Sequence, residues 1–302
     1  MNLAVKIGKI KLKNPVMVAS GTFGYAEEFK DITDLKGIGA IITKSVTLKS
    51  RQGNRPPRLW ETTAGLLNSI GLQNEGVEDF IKNKLPFLKD IGVPIIVSIA
   101  GDTIDEYAQL AKKLNIPAVS GLEINISCPN IKTKHRLFAQ DAKAAASVVK
   151  AVKKNTKKTV ITKLSPDVTD IGEIARAVEK GGSDAISVIN TIKGMAVDIE
   201  TQKPRLGDIT GGLSGPAIKP VALRIVWETA QTVRIPVIGV GGIMTADDAI
   251  EFLLCGATAV QIGTANFLNP QAVIAVAEGI EAYFKEKNLS NLKEIVGRLD
   301  EK

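Results

Sequence analysis

The chain has 302 residues, 44% of them hydrophobic, enough for one large domain or two small ones and too many for a disordered protein. Its 39 basic and 32 acidic residues leave a net charge of +7, which suits an anionic ligand. Scattered lysines and 4% aromatic residues speak against nucleic acid as that ligand.

Two cysteines and one histidine cannot alone build a four-cysteine zinc or iron–sulfur centre, a histidine-rich metal site or a disulfide framework. No apolar run reaches bilayer length and MNLAVKIGKIKLKNP lacks a secretory apolar core, so no membrane span and a cytoplasmic location are expected.

In chain order, VKIGKIKL (5–12) reads as a small hairpin. Short β-branched runs then recur at 15–20, 40–45, 94–100, 122–127, 159–165, 184–190, 236–242 and 258–264, most of them bounded by Gly, Pro or Asp. Amphipathic stretches lie between them, among them TIDEYAQLAKKLN, AKAAASVVKAVKKN, IGEIARAVEKGG, PVALRIVWETAQTV and TADDAIEFLLCG. Eight alternating βα units predict an α/β fold, a parallel (β/α)8 TIM barrel, over a doubly wound open sheet. The N-terminal hairpin is then placed to plug the bottom of the barrel. Thr47–Val93 and Thr191–Ile235 are too long for plain crossovers. They read as active-site insertions after strands 2 and 6 of one domain spanning 1–302.

Polar residues stand where the strands end: Ser20, Lys44, Ser98, Asn125 with Cys128, Lys163, Asn190, Gly241-Gly242 and Gly263-Thr264. Their convergence on one face points to a site, because core packing has no use for them. The glycines after strands 7 and 8 let backbone N–H groups approach a phosphate, and Thr245 is placed to cap the next helix. Lys44 and Lys163 at the ends of apolar strands call for anions such as a carboxylate and a reduced ring, and Lys163 leaves Schiff-base chemistry open. Pro129 must break the strand, which sets Cys128 at the lip of the barrel as a general base, flanked by Asn125 and Asn130. Cys255, among leucines, reads as core, and His135 in KTKHR reads as a solvated loop, with a role as base the alternative.

NISCPN, KLSPDVTDI, NSIGLQN, INT and ITGGLSGPAIKPVAL together resemble the class 1 dihydroorotate dehydrogenases, most closely the class 1B catalytic subunit, from about Asn14 to about Pro270. The resemblance implies FMN at the barrel mouth, held by Ser20, Lys44, Ser45, Asn125, Lys163, Ile189, Gly215, Gly241, Gly242, Gly263 and Thr264. Ser98 stands where relatives often carry Asn and is a weaker candidate. The implied dihydroorotate/orotate pocket uses Lys44, Asn68, Ser69, Ile70, Gly71, Leu72, Asn125, Asn130, Asn190 and Thr191, with Cys128 as catalytic base where class 2 enzymes use serine.

It further implies a homodimer, and a heterotetramer with a partner subunit that carries FAD and a 2Fe–2S cluster and passes electrons to NAD. Rival readings are a class 1A homodimer that reduces fumarate, a dihydrouridine synthase acting on RNA, and a non-catalytic phosphate-binding barrel. One departure is IKTKHRLFAQD (131–141), where relatives have a glycine-rich stretch; it reads as a lid over the site.

Overall fold

A computed structural model describes residues 1–127 and 138–300. Eight parallel strands close into a barrel: β1 (Val16–Val18), β2 (Ala40–Ile42), β3 (Ile95–Ile99), β4 (Gly121–Asn125), β5 (Thr159–Lys163), β6 (Ala185–Val188), β7 (Val237–Val240) and β8 (Ala259–Ile262). Each lies within one of the eight predicted runs, save that β4 begins one residue early. Ile41 and Ile42, Ile95 to Val97 and Val160 to Thr162 illustrate why: β-branched residues fit a pleated strand that is buried on both faces.

Alternate residues face opposite ways, and two packed layers result. Met17, Ile42, Ile96, Ile161, Ala185, Ile238 and Ala259 fill the barrel lumen together with Ile7, Ile10 and Leu12. Those last three belong to the hairpin Val5–Ile7/Ile10–Leu12, which therefore plugs the barrel as predicted. Its turn is pressed onto β5. The Lys9 amide donates to Thr159 Oγ1 at 2.9 Å, and a Cβ on Gly8 (φ +56°) would lie 2.7 Å from the Thr159 methyl.

Helices α1 (Leu85–Ile91), α2 (Ile104–Lys113), α3 (Ala142–Asn155), α4 (Ile171–Lys180), α5 (Lys219–Thr232), α6 (Ala246–Leu254) and α7 (Ala272–Glu286) surround the barrel. Thr103, Asp141, Asp170 and Thr245 each cap a helix by accepting the backbone N–H three residues on. Helix α1 is preceded by a widened turn, Phe80–Lys84. Pro86 has no amide to return to the Lys82 carbonyl, which accounts for the lost i→i−4 bond. The first crossover departs from strict βα alternation, for between β1 and β2 the chain makes only two short 3-10 turns, Glu27–Phe29 and Leu35–Gly37.

The two long connections meet over the barrel mouth. Leu59–Thr62 and Gly65–Asn68 from the first pair with Gly211–Ser214 and Ile192–Gly194 from the second in one antiparallel sheet. The Arg205 guanidinium lies 4.4 Å from the Trp60 ring centroid and adds a cation–π contact between the insertions. No helix among the described residues is long and apolar enough to cross a membrane.

Candidate active site

A cavity of about 330 Å³ opens at the C-terminal end of the barrel, under the insertion sheet. Its wall includes Ser20, Lys44, Ser45, Asn125, Lys163, Ile189, Gly215, Gly241, Gly242, Gly263 and Thr264, and also Asn68, Ile70, Gly71, Leu72, Asn190 and Thr191. Residues as distant in sequence as Ser20 and Thr264 thus converge, because parallel strands all deliver their C-terminal ends to one face. Two predicted residues stand behind that wall. Ser98 is fully buried and shares a 2.8 Å hydrogen bond with the Ser45 hydroxyl. Ser69, also fully buried, accepts from Asn54 Nδ2 at 2.9 Å and donates to Asp208 at 3.2 Å. Cys128, Asn130, His135 and the start of the predicted lid lie outside the described residues.

One hydrogen-bonded chain crosses the floor. Ser20 and Ser45 hydroxyls are 3.4 Å apart, Asn125 Nδ2 donates to Ser45 at 3.1 Å, and Asn190 Nδ2 donates to Asn125 Oδ1 at 3.3 Å and to Ser127 at 2.8 Å. Tyr107 adds a 2.9 Å bond to the Asn125 carbonyl. Both asparagine amides are therefore fixed in orientation before any ligand arrives, which lowers the entropy cost of binding.

The loop Asn68–Leu72 is equally braced. The Ser69 amide donates to the Arg58 carbonyl, the Asn54 amide to the Ile70 carbonyl, and Asn74 Nδ2 to the Leu72 carbonyl, at 2.8, 3.0 and 2.8 Å. Arg58 itself is spent on Gln73, Asn54 and Gln52.

Another part of the cavity wall is backbone. Among the described residues, none accepts a backbone hydrogen bond from the amides of Gly241, Gly242, Gly263 or Thr264. Helix α6 behind them is closed by its own capping box, with Asp248 accepting from the Met244 and Thr245 amides and from Lys219. The side chains of Thr245 and Asp248 thus occupy the start of this helix, while the loop amides before it are left open.

The family model for dihydroorotate dehydrogenase matches residues 2–284. The chain belongs to the dihydroorotate dehydrogenase family. Among its relatives are proteins named dihydroorotate dehydrogenase B (NAD(+)), catalytic subunit. Those of Geotalea uraniireducens and Geobacter metallireducens are 55% and 56% identical over 99% of this chain and 98% of their own. That of Thermoanaerobacter sp. is 54% identical over 99% of both chains.

In this dihydroorotate dehydrogenase family member, Ser214, Thr22, Gln73 and Met244 also line the cavity, unforeseen from the sequence. Ser214 accepts a 2.8 Å hydrogen bond from Thr264 and so ties the second insertion to the β8 loop. The serine sits inside GGLSGPAIKP, whose glycines overshadow its hydroxyl. Cys255 is half-buried at the C-terminal end of α6. Burial, and then the Glu251 carboxylate, push its thiol up, away from the reactive range.

Proposed function

We propose that this chain, acting as one barrel domain over residues 1–302, oxidises (S)-dihydroorotate to orotate in pyrimidine biosynthesis, with FMN as its cofactor and Cys128 as base. The observation that carries this reading is the make-up of the cavity wall, which combines bare amides of Gly241, Gly242, Gly263 and Thr264 with the side chains of Lys44, Lys163, Asn68 and Asn190. Those amides fit a flavin phosphate, since glycine leaves the backbone open to three acceptor oxygens. Lys163 and Asn125 fit the ring edge, while Lys44 and the asparagines fit a carboxylate and an amide-like ring. Bound FMN would supply the acceptor for the hydride that leaves carbon 6 of dihydroorotate. Cys128 as thiolate removes the proton from carbon 5, Asn125 and Asn190 orient the ring, and Lys163 holds positive charge where negative charge develops.

Electrons then leave, on this reading, through a partner subunit carrying FAD and a 2Fe–2S cluster to NAD. Assembly as a homodimer, and with the partner as a heterotetramer, finds support in apolar side chains left exposed on the insertions, with Ile199 80%, Ile209 68% and Val197 51% exposed. The purified protein is expected to be yellow and to bleach anaerobically with dihydroorotate. Colourless protein, or yellow protein that dihydroorotate does not bleach, overturns the proposal. Co-purification with a flavin and iron–sulfur partner that confers NAD reduction supports the electron path; fumarate reduction by the chain alone overturns it.

Lys44 supplies a pH signature. Its half-buried ammonium is held below the ordinary lysine value by burial first and by the Arg58 charge second, against the raising effect of Glu28 and Glu75. A lowered value means the positive charge is lost earlier as pH rises. Orotate affinity should therefore weaken on the alkaline side before an ordinary lysine would titrate. Lys44→Met should abolish that limb and cost about 1.5–3 kcal/mol, roughly 10- to 150-fold in Kd, by flavin-absorbance titration.

A further inference from the structure

A buried polar atom without a partner marks something missing from the accounting of hydrogen bonds. Two such atoms lie in one cluster inside the barrel. Glu123 of β4 is fully buried, and it stands between Leu122 and Ile124, which both pack outward into the helix-facing core, so it faces the lumen. Gln261 of β8 and Ser187 of β6 are fully buried and face inward by the same alternation. Glu123 Oε2 accepts from Gln261 Nε2 at 2.8 Å and from Ser187 Oγ at 3.0 Å. Glu123 Oε1 and Gln261 Oε1 have no partner.

These two orphans are the second oxygens of the same two groups that the 2.8 Å bond already joins. A carboxylic acid and a primary amide close an eight-membered ring with two hydrogen bonds, amide N–H to acid carbonyl and acid O–H to amide carbonyl. The first bond is in place. The second needs one proton.

We infer that Glu123 is carried as a neutral carboxylic acid, its proton on Oε1 and donated to Gln261 Oε1, closing an acid–amide pair across the barrel lumen. That single proton satisfies both orphan atoms. An ionised Glu123 satisfies neither, since Gln261 Oε1 only accepts. No ion pair reaches it among the described residues, and the lumen side chains Met17, Ile42, Ile96, Ile161, Ala185, Ile238 and Ala259 are apolar, so an ionised carboxylate would keep one buried oxygen with no hydrogen-bonded counter-charge. Besides Ser98, the polar group near it toward the mouth on the adjoining strand is Lys163. This lysine pairs with Asn125 and Ser187 in the strand register, one inward step above Glu123.

The consequence concerns Lys163. A carboxylate beneath it would share its charge; a neutral acid leaves the whole ammonium to the cavity that Lys163 lines. Glu123 is then a positioning residue that acts through Lys163. This consequence rests on the FMN reading, whereas the protonation itself does not.

Infrared difference spectroscopy between the wild-type chain and Glu123→Gln at neutral pH tests it. The expected result is loss of one protonated-carboxyl carbonyl band in the variant; a pair of carboxylate bands in its place overturns the inference. Glu123→Gln keeps both bonds as an amide–amide pair, so its melting temperature, and the midpoint potential of bound FMN, should match wild type. A potential that rises instead reveals that a negative charge was removed, and overturns the inference. If the variant does not fold, Gln261→Leu gives a second route: the acid band should persist but move to the position of an acid with a weaker partner, and its absence overturns the proposal. Should the wild type fail to bind FMN, the cofactor reading falls while the infrared result still decides the state of Glu123.

Discussion

Cys128→Ala should slow reduction of the bound flavin by dihydroorotate roughly 100- to 10,000-fold, the range that a positioned general base contributes. The expectation rests on what each residue at the end of β4 has to offer. Asn125 and Ser127 are bound to each other and to Asn190, and neither carries a group that titrates near neutral pH. A thiol titrates near pH 8.5 and lower beside a cation, so by its chemistry Cys128, next in sequence after Ser127, is the residue suited to take a proton from carbon. Single-turnover absorbance measurements check it, with flavin content confirmed equal in both proteins. Cys128→Ser should retain part of the rate with an optimum displaced to higher pH. Cys255→Ala should change nothing, because burial and Glu251 hold that thiol up and out of use. An unchanged rate in Cys128→Ala would overturn the assignment.

Gly242→Ala should weaken FMN binding roughly 5- to 150-fold. The residue has φ +80°, and a Cβ there would lie 2.7 Å from both the backbone nitrogen and the Cβ of Lys219. Lys219 begins α5 and its ammonium is fastened to Asp248 and Glu251, so it cannot yield as a free side-chain tip would. The new methyl must therefore displace the loop whose amides face the cavity. Strain of this kind costs about 1–3 kcal/mol, roughly 5- to 150-fold in FMN affinity, before any direct loss of amide contacts. Fluorescence titration of stripped protein with FMN measures it, beside a thermal melt of the same sample. Wild-type affinity in the folded variant would remove Gly242 from the cradle.

Much of this architecture is legible in the amino-acid order because barrel strands are local. Eight short β-branched runs, each ending in a polar or glycine residue, specify both the strands and the face on which their ends collect. The N-terminal hairpin is legible for the same reason, through the alternation of Val5, Ile7, Ile10 and Leu12. Less legible is the connection between β1 and β2, where the βα rhythm predicts a helix and 3-10 turns stand instead.

Side-chain function divides along the same line. Lys44, Asn125, Lys163 and Asn190 can be read as site residues because each interrupts an apolar run where burial makes polarity expensive. Ser98 cannot be told from a cavity residue by that rule. Its hydroxyl turns to Ser45, and the choice between ligand and neighbour depends on a residue 53 positions away in sequence. Ser214 is hidden for the opposite reason, since nothing around it is apolar enough to make a hydroxyl conspicuous.

The sequence by itself thus determined the strand count, the plugging hairpin, the glycine-rich ends of strands 7 and 8 and the family, because these depend on local pattern and on motifs a few residues long. Only the tertiary structure decided that the two insertions share one sheet and that α6 caps itself and leaves the loop amides open. It alone set Glu123, Ser187 and Gln261 against one another across the lumen. Each of these rests on a pairing between distant residues, such as Asn68 with Gly212, Lys219 with Asp248 or Glu123 with Gln261. A hydrogen bond at that separation leaves no trace in the order of the residues that make it.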